Sequence, residues 1–350
     1  AEILGKNSFG PKYAVIPASV AERVHPDAYC TVILDGKSIL MRLLARPLSP
    51  MNYTSKMTGA METTSTFWHL KDLPHYQTTK PYVVNLPLSL IPTGKRTNQD
   101  CFAYSGIKVR DLRSEEDTFT LDRNGFEVST SIPMSLEYEE FRDPSKVRDV
   151  YSENVKAALL EMTGAESAHV LHQMQIRRRH PSFPEKSRGS KEAETDQPVQ
   201  GVHCDYTPRQ AYESVRTAFG DEKANEIWNE RRVQIIQVWR PLRGPVVDWP
   251  LAVCDSNSIN KESDLVATDN VWSYAVFETY NVLHNPKHAW YYISKQTSED
   301  VLLFKGFDNA KGVSTFCAHA AFHLKEVKDV SEMRESVECA ILLMYPKLMD

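Results

Sequence analysis

His203-Cys204-Asp205 places two metal-ligand side chains one residue apart, and His319 offers a third far downstream. Two imidazoles and one carboxylate can occupy one face of an Fe(II) octahedron, leaving positions for a bidentate cosubstrate and O2. An extended strand suits the pair, because residues i and i+2 project from one face. Cys204 between them is then expected to point away from the metal. The pattern is short and recurs in this chain. His25-Pro26-Asp27 has the same spacing, and roughly one such match is expected by accident at this length.

Context separates the two. His203 follows a polar loop and precedes Tyr206-Thr207-Pro208, where an extended segment would end, whereas His25 is followed directly by Pro26. After His203 come His319 and then Arg334-Glu335-Ser336. The order His-x-Asp, His, Arg-x-Ser is that of 2-oxoglutarate-dependent oxygenases, in which Arg and Ser grip the far carboxylate of the cosubstrate. A guanidinium holds a carboxylate through two parallel hydrogen bonds, which a lysine cannot do. A second Arg-x-Ser, Arg188-Gly189-Ser190, lies upstream in an expected loop. His284 and His288 are rivals to His319 as the distal ligand, though neither has an Arg-x-Ser at a suitable distance after it.

These residues need strands to hold them. Residues 12–18, 31–45, 82–86, 168–177, 233–239, 271–279, 289–294, 301–305 and 336–345 read as strands, with Asp35-Gly36-Lys37 as a turn. Thr118 to Val128 reads as a hairpin about Asn124-Gly125. Residues 47–79 read as a loop or arm. Asp143-Pro144-Ser145 opens a helix to about 163, stopped by Gly164, and residues 208–229 read as two helices broken at Gly220-Asp221. Arg177-Arg178-Arg179-His180 reads as a solvated strand end, and the polar stretch 182–200 as a loop whose length permits a lid.

Glutamine on both faces of the 233–239 strand suggests that one side looks into a polar cavity, with Gln237 as a pocket candidate. On the last strand Val337, Cys339, Ile341 and Leu343 share one parity, and Arg334, Ser336, Glu338 and Ala340 share the other. A bulge would exchange the faces, so Ile341 and Leu343 are candidates for either the pocket or the core.

A net charge of −5 gives no reason to expect nucleic acid or an acidic membrane as partner. No apolar run approaches the ~18 residues that span a bilayer. The first residues lack the basic and apolar regions of a signal peptide, so a soluble cytoplasmic protein is expected. Cysteines 30, 101, 204, 254, 317 and 339 are scattered without a Cys-x-x-Cys, which is neither a disulfide framework nor a zinc pattern. A small-molecule substrate is the expected partner, and the sequence sets no oligomeric state.

Longer stretches resemble the CmcJ/AsaB-like hydroxylase/desaturase family, relatives of the gibberellin desaturases. They are His203-Cys204-Asp205-Tyr206-Thr207-Pro208, Gln237-Val238-Trp239-Arg240-Pro241-Leu242, Asp248-Trp249-Pro250-Leu251-Ala252, His288-Ala289-Trp290-Tyr291-Tyr292 and Arg334-Glu335-Ser336-Val337-Glu338. The resemblance implies a mainly β protein with flanking helices (α+β), built on a double-stranded β-helix of the jelly-roll or cupin-like kind. It implies one oxygenase domain over 1–350, with N-terminal strands, arm and helix in 1–165, the core in 166–350 and a helical insertion at 208–230. It implies Fe(II), 2-oxoglutarate and O2, metal binding by His203, Asp205 and His319, and cosubstrate binding by Arg334 and Ser336. Family reactions include hydroxylation, desaturation and oxidative ring closure, among them aziridine formation on a small amino acid. Members often carry Asn at the position of Gln237 and Arg at that of Ala340, so the substrate is not inherited. Two rivals remain: a metal-dependent enzyme that is not an oxygenase, and a non-catalytic accessory protein on the same barrel.

Overall fold

The computed structural model of the chain describes four strands before residue 45, then residues 62–347 apart from 87, 92–93, 116, 172–173, 183–195 and 325–332. It divides into two units, residues 1–58 and 59–350. The first unit holds β1 (Glu2–Ile3), β2 (Tyr13–Val15), β3 (Tyr29–Leu34) and β4 (Lys37–Leu44), in the order β1-β2-β4-β3. Leu34 pairs with Lys37, as the turn signal between them predicts.

The second unit carries β5 (Glu62–Leu70), β6 (Tyr82–Val84), β7 (Cys101–Asp111), β8 (Phe126–Ser129), β9 (Ser167–Val170), β10 (Gln175–Arg178) and β11 (His203–Cys204). It continues with β12 (Arg231–Pro241), β13 (Leu251–Cys254), β14 (Leu265–Val271), β15 (Val276–Val282), β16 (Trp290–Tyr292), β17 (Val301–Asp308), β18 (His319–Ala321) and β19 (Glu335–Lys347). One sheet runs β10-β19-β12-β17-β8, with β9 also paired to β19; the other runs β5-β7-β16-β13-β18-β11-β15-β14-β6. Phe126, Trp239, Leu302 and Phe304 of the first pack against Leu251, Val253 and Tyr291 of the second. This is the expected double-stranded β-helix, a jelly roll with its inner faces in contact.

One helical segment covers the outside of the first sheet. Asp143 caps the helical segment that begins at Pro144, which passes through a π-turn at Val147–Tyr151 into Ser152–Thr163 and ends at Gly164 with φ 68°. Its Tyr151, Val155 and Leu159 bury Ile236, Val238, Val337, Cys339, Ile341 and Leu343. Ile341 and Leu343 are therefore core residues on the outer face, not pocket residues. The β12–β19 register runs unbroken from Val233↔Met344 to Pro241↔Ser336, with its bulge beyond that run at Arg231/Val233, so no exchange of faces occurs. Helices Pro208–Phe219 and Asp221–Glu230, broken at Gly220 as expected, pack Val215 and Ile227 on Ile235 and Leu342. None of the helices among the described residues is long and apolar enough to cross a membrane.

Some local readings are corrected. Residues 118–128 are not a hairpin: Thr120 caps a single helical turn, Leu121–Asn124, and Gly125 at φ 88° ends it before β8. A side-chain oxygen ahead of the turn and a left-handed glycine behind it favour helix over the two-residue turn. The arm expected at 47–79 contains β5, paired along its length with β7, a strand the sequence reading missed. Its Thr and Ser give a half-buried surface without apolar alternation, the pattern on which the reading relied.

Candidate metal centre

The two-residue strand β11 lies between β15 and β18, and His203 stands directly opposite His319. Directly paired residues of antiparallel strands share a face, and the two rings have centroids 4.3 Å apart. Thr207 ends the extended run by accepting a hydrogen bond from Gln210 N and starting the helix Pro208–Phe219. Asp205 therefore sits just past the strand, on the side of His203. Its Oδ1 is 3.4 Å from His203 Nε2 and 3.6 Å from His319 Nε2. Cys204 points the other way into a core cluster with Ala318, Ala320 and Phe322, as alternation requires.

Hydrogen bonds behind the three side chains aim them. His203 Nδ1 is 2.8 Å from the Gly201 carbonyl, and His319 Nδ1 is 3.2 Å from that of Cys317. A carbonyl only accepts, so each Nδ1 carries the proton and each Nε2 keeps its lone pair for the centre. Gln237 Nε2 donates to Asp205 Oδ2 at 2.8 Å. Phe304 packs on the His319 ring at 4.5 Å. Burial pushes the His319 pKa down to about 4, so its imidazole is neutral. Burial pushes the Asp205 carboxyl up, but His319, His203 and the Gln237 amide together outweigh it and hold it below the usual carboxylate range. Ligand atoms of the three residues lie within 4.8 Å of one another, and this is the one group of its kind among the described residues. Two imidazole Nε2 atoms with a carboxylate are a donor set that fits Fe(II).

The other end of the site is cationic. Arg334, buried at the start of β19, donates from Nη1 to the Trp249 carbonyl at 2.9 Å and reaches Ser336 Oγ from Nη2 at 3.4 Å. Its guanidinium lies 5.0 Å over the Trp239 ring, and its Nε has no partner among the described residues. Burial, with Arg177 close by, lowers its pKa to about 9. An unused guanidinium donor beside a hydroxyl fits a dicarboxylate's far end.

Residues that the sequence reading passed over also gather here. Arg177 pairs across the sheet with Ser336 and so shares its face, donating to the carbonyl of Gln197 at 3.0 Å. Arg178 bonds Glu335 and Arg179 bonds Asp248, so the basic run is an ion-paired strand and not a solvated end. Glu338 has the same parity as Arg334 and Ser336. Parity was the signal available for both Arg177 and Glu338, but only knowledge of which strands are neighbours turns it into position.

The rival ligands are occupied elsewhere. His288 Nε2 is 3.0 Å from Asp264 Oδ2, and His284 stacks on Tyr104 at 4.1 Å. Between them lies His69, which the sequence reading did not single out. His25-Pro26-Asp27 and Arg188-Gly189-Ser190 lie outside the described residues. Five cysteines (101, 204, 254, 317 and 339) are free thiols.

A double-stranded β-helix presenting two histidines and an aspartate inside its sheets defines a metal-dependent oxidoreductase of the jelly-roll class. Residues 71–344 match the family described as oxidoreductase/YMDC permease-like domain. The chain is 31% identical to the hydroxylase/desaturase efuI of Hormonema carpetanum, over 68% of this chain and 83% of that one. It is also 31% identical to the Fe(II)/2-oxoglutarate-dependent dioxygenase nvfI of Aspergillus novofumigatus, over 69% and 84%. Among solved structures it resembles the iron and alpha-ketoglutarate-dependent endoperoxidase NvfI, with a TM-score of 0.69 and 26% identity over 81% of this chain and 98% of that one. The chain belongs to this family of hydroxylase/desaturase-type, Fe(II)/2-oxoglutarate-dependent dioxygenases.

Proposed function

We propose that this enzyme oxidises a C–H bond of a small organic substrate in specialised metabolism, by hydroxylation, desaturation or oxidative ring closure. The observation that carries the reading is the meeting of His203, Asp205 and His319 at 3.4 and 3.6 Å, with both Nε2 atoms turned inward. In this reading those three residues hold Fe(II), while Arg334 and Ser336 take the far carboxylate of 2-oxoglutarate. When bound, iron and cosubstrate supply the oxidation, 2-oxoglutarate leaving as succinate and CO2. The protein's own part is geometric. Gln237 fixes the Asp205 carboxylate, the two backbone carbonyls fix the imidazoles, and Phe304 walls off the His319 ring. Trp239 supports the Arg334 guanidinium and excludes water from beneath it.

The test is Fe(II)- and O2-dependent conversion of 2-oxoglutarate to succinate, measured beside equilibrium binding of Fe(II) and 2-oxoglutarate without O2. Binding of both with stimulated succinate release is expected. Metal binding without any consumption of 2-oxoglutarate would point to a non-oxygenase on the same barrel.

A further inference from the structure

The face of the second sheet that carries the metal centre continues past it. His203 is flanked on that face by His319 on one side and by Asn281 of β15 on the other. The next strand, β14, sets Val266 opposite Asn281, Thr268 opposite Thr279 and Asn270 opposite Phe277. Directly opposed residues share a face, so these side chains line a wall that starts at His203. Beyond His319 the same face is closed, because Val253 and Tyr291 lie against Trp239 and Phe304 of the first sheet. Toward β15 and β14 it is more open: Asn281, Thr279, Phe277, Asn270 and Val266 are all half-buried. The wall carries no charge. Asp269 and Glu278, the acidic residues of the two strands, have the opposite parity and are bridged there by Lys80.

The polar groups of this wall are oriented. Thr268 donates its hydroxyl proton to the Val266 carbonyl at 3.2 Å, so toward Asn281 the same oxygen can only accept. The Asn281 amide therefore turns Nδ2 to Thr268, at 3.1 Å, and holds Oδ1 as an acceptor with no donor among the described residues. Asn270 repeats the arrangement one rung outward, donating from Nδ2 to Thr279 Oγ1 at 2.9 Å. We propose that this wall is a substrate subsite, in which Asn281 Oδ1 accepts a hydrogen bond from a neutral donor on the substrate, a hydroxyl or an amide N–H. This rests on the oxygenase reading above. Val266 and the half-buried Phe277 offer apolar contact to the rest of the molecule. Directly opposed residues have Cβ atoms about 4.5–5.5 Å apart, so a group held at Asn281 stays next to the metal ligand His203. An ammonium group finds no carboxylate on this wall, and a carboxylate would meet the acceptor oxygen of Asn281. A molecule without a donor leaves that oxygen unpaired, so discrimination is built into the site.

The experiment uses protein loaded with Fe(II) and 2-oxoglutarate. Cyclohexanol, decalol and testosterone are titrated by calorimetry without O2, each beside its methyl ether. Cyclohexanecarboxamide is titrated beside its N,N-dimethyl derivative and beside cyclohexylamine. The same compounds are tested in air for succinate formation above the substrate-free rate. Donor-bearing compounds should bind more tightly and stimulate more than their methylated counterparts, and the alcohol and amide arms tell which donor the subsite takes. Asn281→Leu should weaken binding of the donor compounds by about 10-fold and remove their advantage over the methylated ones, with Fe(II) affinity as the check on folding. Thr268→Val, which frees the Asn281 amide to turn over, should lose part of that advantage. Equal affinities within every donor and methylated pair, no binding of any donor compound, tighter binding of cyclohexylamine than of cyclohexanol and the amide, or an unchanged preference in Asn281→Leu would overturn the proposal. The paired comparison uses unmodified protein, so it decides the matter even where Asn281→Leu fails to fold. Failure of the unmodified protein to bind 2-oxoglutarate or to form any succinate would instead sink the oxygenase reading.

Discussion

His203 and His319 are direct partners across two antiparallel strands, and each ring is anchored through Nδ1 to the carbonyl two residues before it. The same local device, used twice on opposed strands, turns both Nε2 atoms to the Asp205 carboxylate. We expect His203→Ala and His319→Ala each to weaken Fe(II) binding more than about 100-fold, beyond the 10–100-fold typical of losing an outer-shell partner. Gln237→Leu, which frees Asp205 Oδ2, should fall within that outer-shell range. Anaerobic Fe(II) titration measures all three, with His288→Ala as the comparison that leaves affinity intact. A loss of iron in His288→Ala equal to that in His319→Ala would reassign the distal ligand.

Both buried arginines have an Nε without a partner among the described residues, but Arg334 stands beside Ser336, whereas Arg240 reaches the Ile132 carbonyl and the Tyr151 ring. Arg334→Ala should cost about 2–5 kcal/mol in 2-oxoglutarate binding, roughly 30- to 5000-fold. Arg334→Lys keeps the charge without the fork and should be intermediate. Arg240→Ala should lower stability while leaving cosubstrate affinity as it was. Calorimetric titration of folded, iron-loaded variants checks this, and an unchanged affinity in Arg334→Ala would remove Arg334 from the site.

His69 is fully buried, with Nδ1 3.0 Å from the Val282 carbonyl, no partner for Nε2 among the described residues, and His284 and His288 beside it. Burial pushes its pKa from 6.5 down to about 4. Between these values the unfolded chain binds more protons than the folded one, so stability rises with pH through the window and is fully present above 6.5. One such histidine contributes a slope of at most about 1.4 kcal/mol per pH unit. We expect metal-free protein to unfold at lower urea at pH 5 than at pH 7, and His69→Phe to reduce that dependence in part, since buried His319 contributes in the same sense. A variant with the full slope would show that His69 is not its source.

Gly125 carries its left-handed φ in a crowded place. A Cβ there would lie 2.8 Å from Ser314 Oγ and 2.9 Å from the Phe316 carbonyl oxygen. Gly125→Ala should destabilise by about 1–3 kcal/mol, whereas Gly312→Ala, with φ also positive but open space around it, should cost less. The Phe316 segment leads into Cys317, whose carbonyl anchors His319, so iron affinity should fall with stability in the first variant alone. Urea midpoints that are equal for the two variants would refute the steric account.

The sequence alone determined the chemistry on offer. Local order settled it: His-x-Asp at strand spacing, a later His, then Arg-x-Ser, with glycines, prolines and capping residues marking the helices at 144–163 and 208–230. Parity along β19 was also legible, because alternation is a property of one strand. The tertiary structure decided everything that depends on which strand lies beside which. It placed His319, and not His284 or His288, beside His203 because β18, not the turn before β16, pairs with β11. Pairing of β10 with β19 brought Arg177 to Ser336, a residue far away in sequence. The helix over the outer face buried Ile341 and Leu343 and so turned Glu338 inward. Strand neighbours are chosen by summed long-range packing, a quantity that no local window of residues contains.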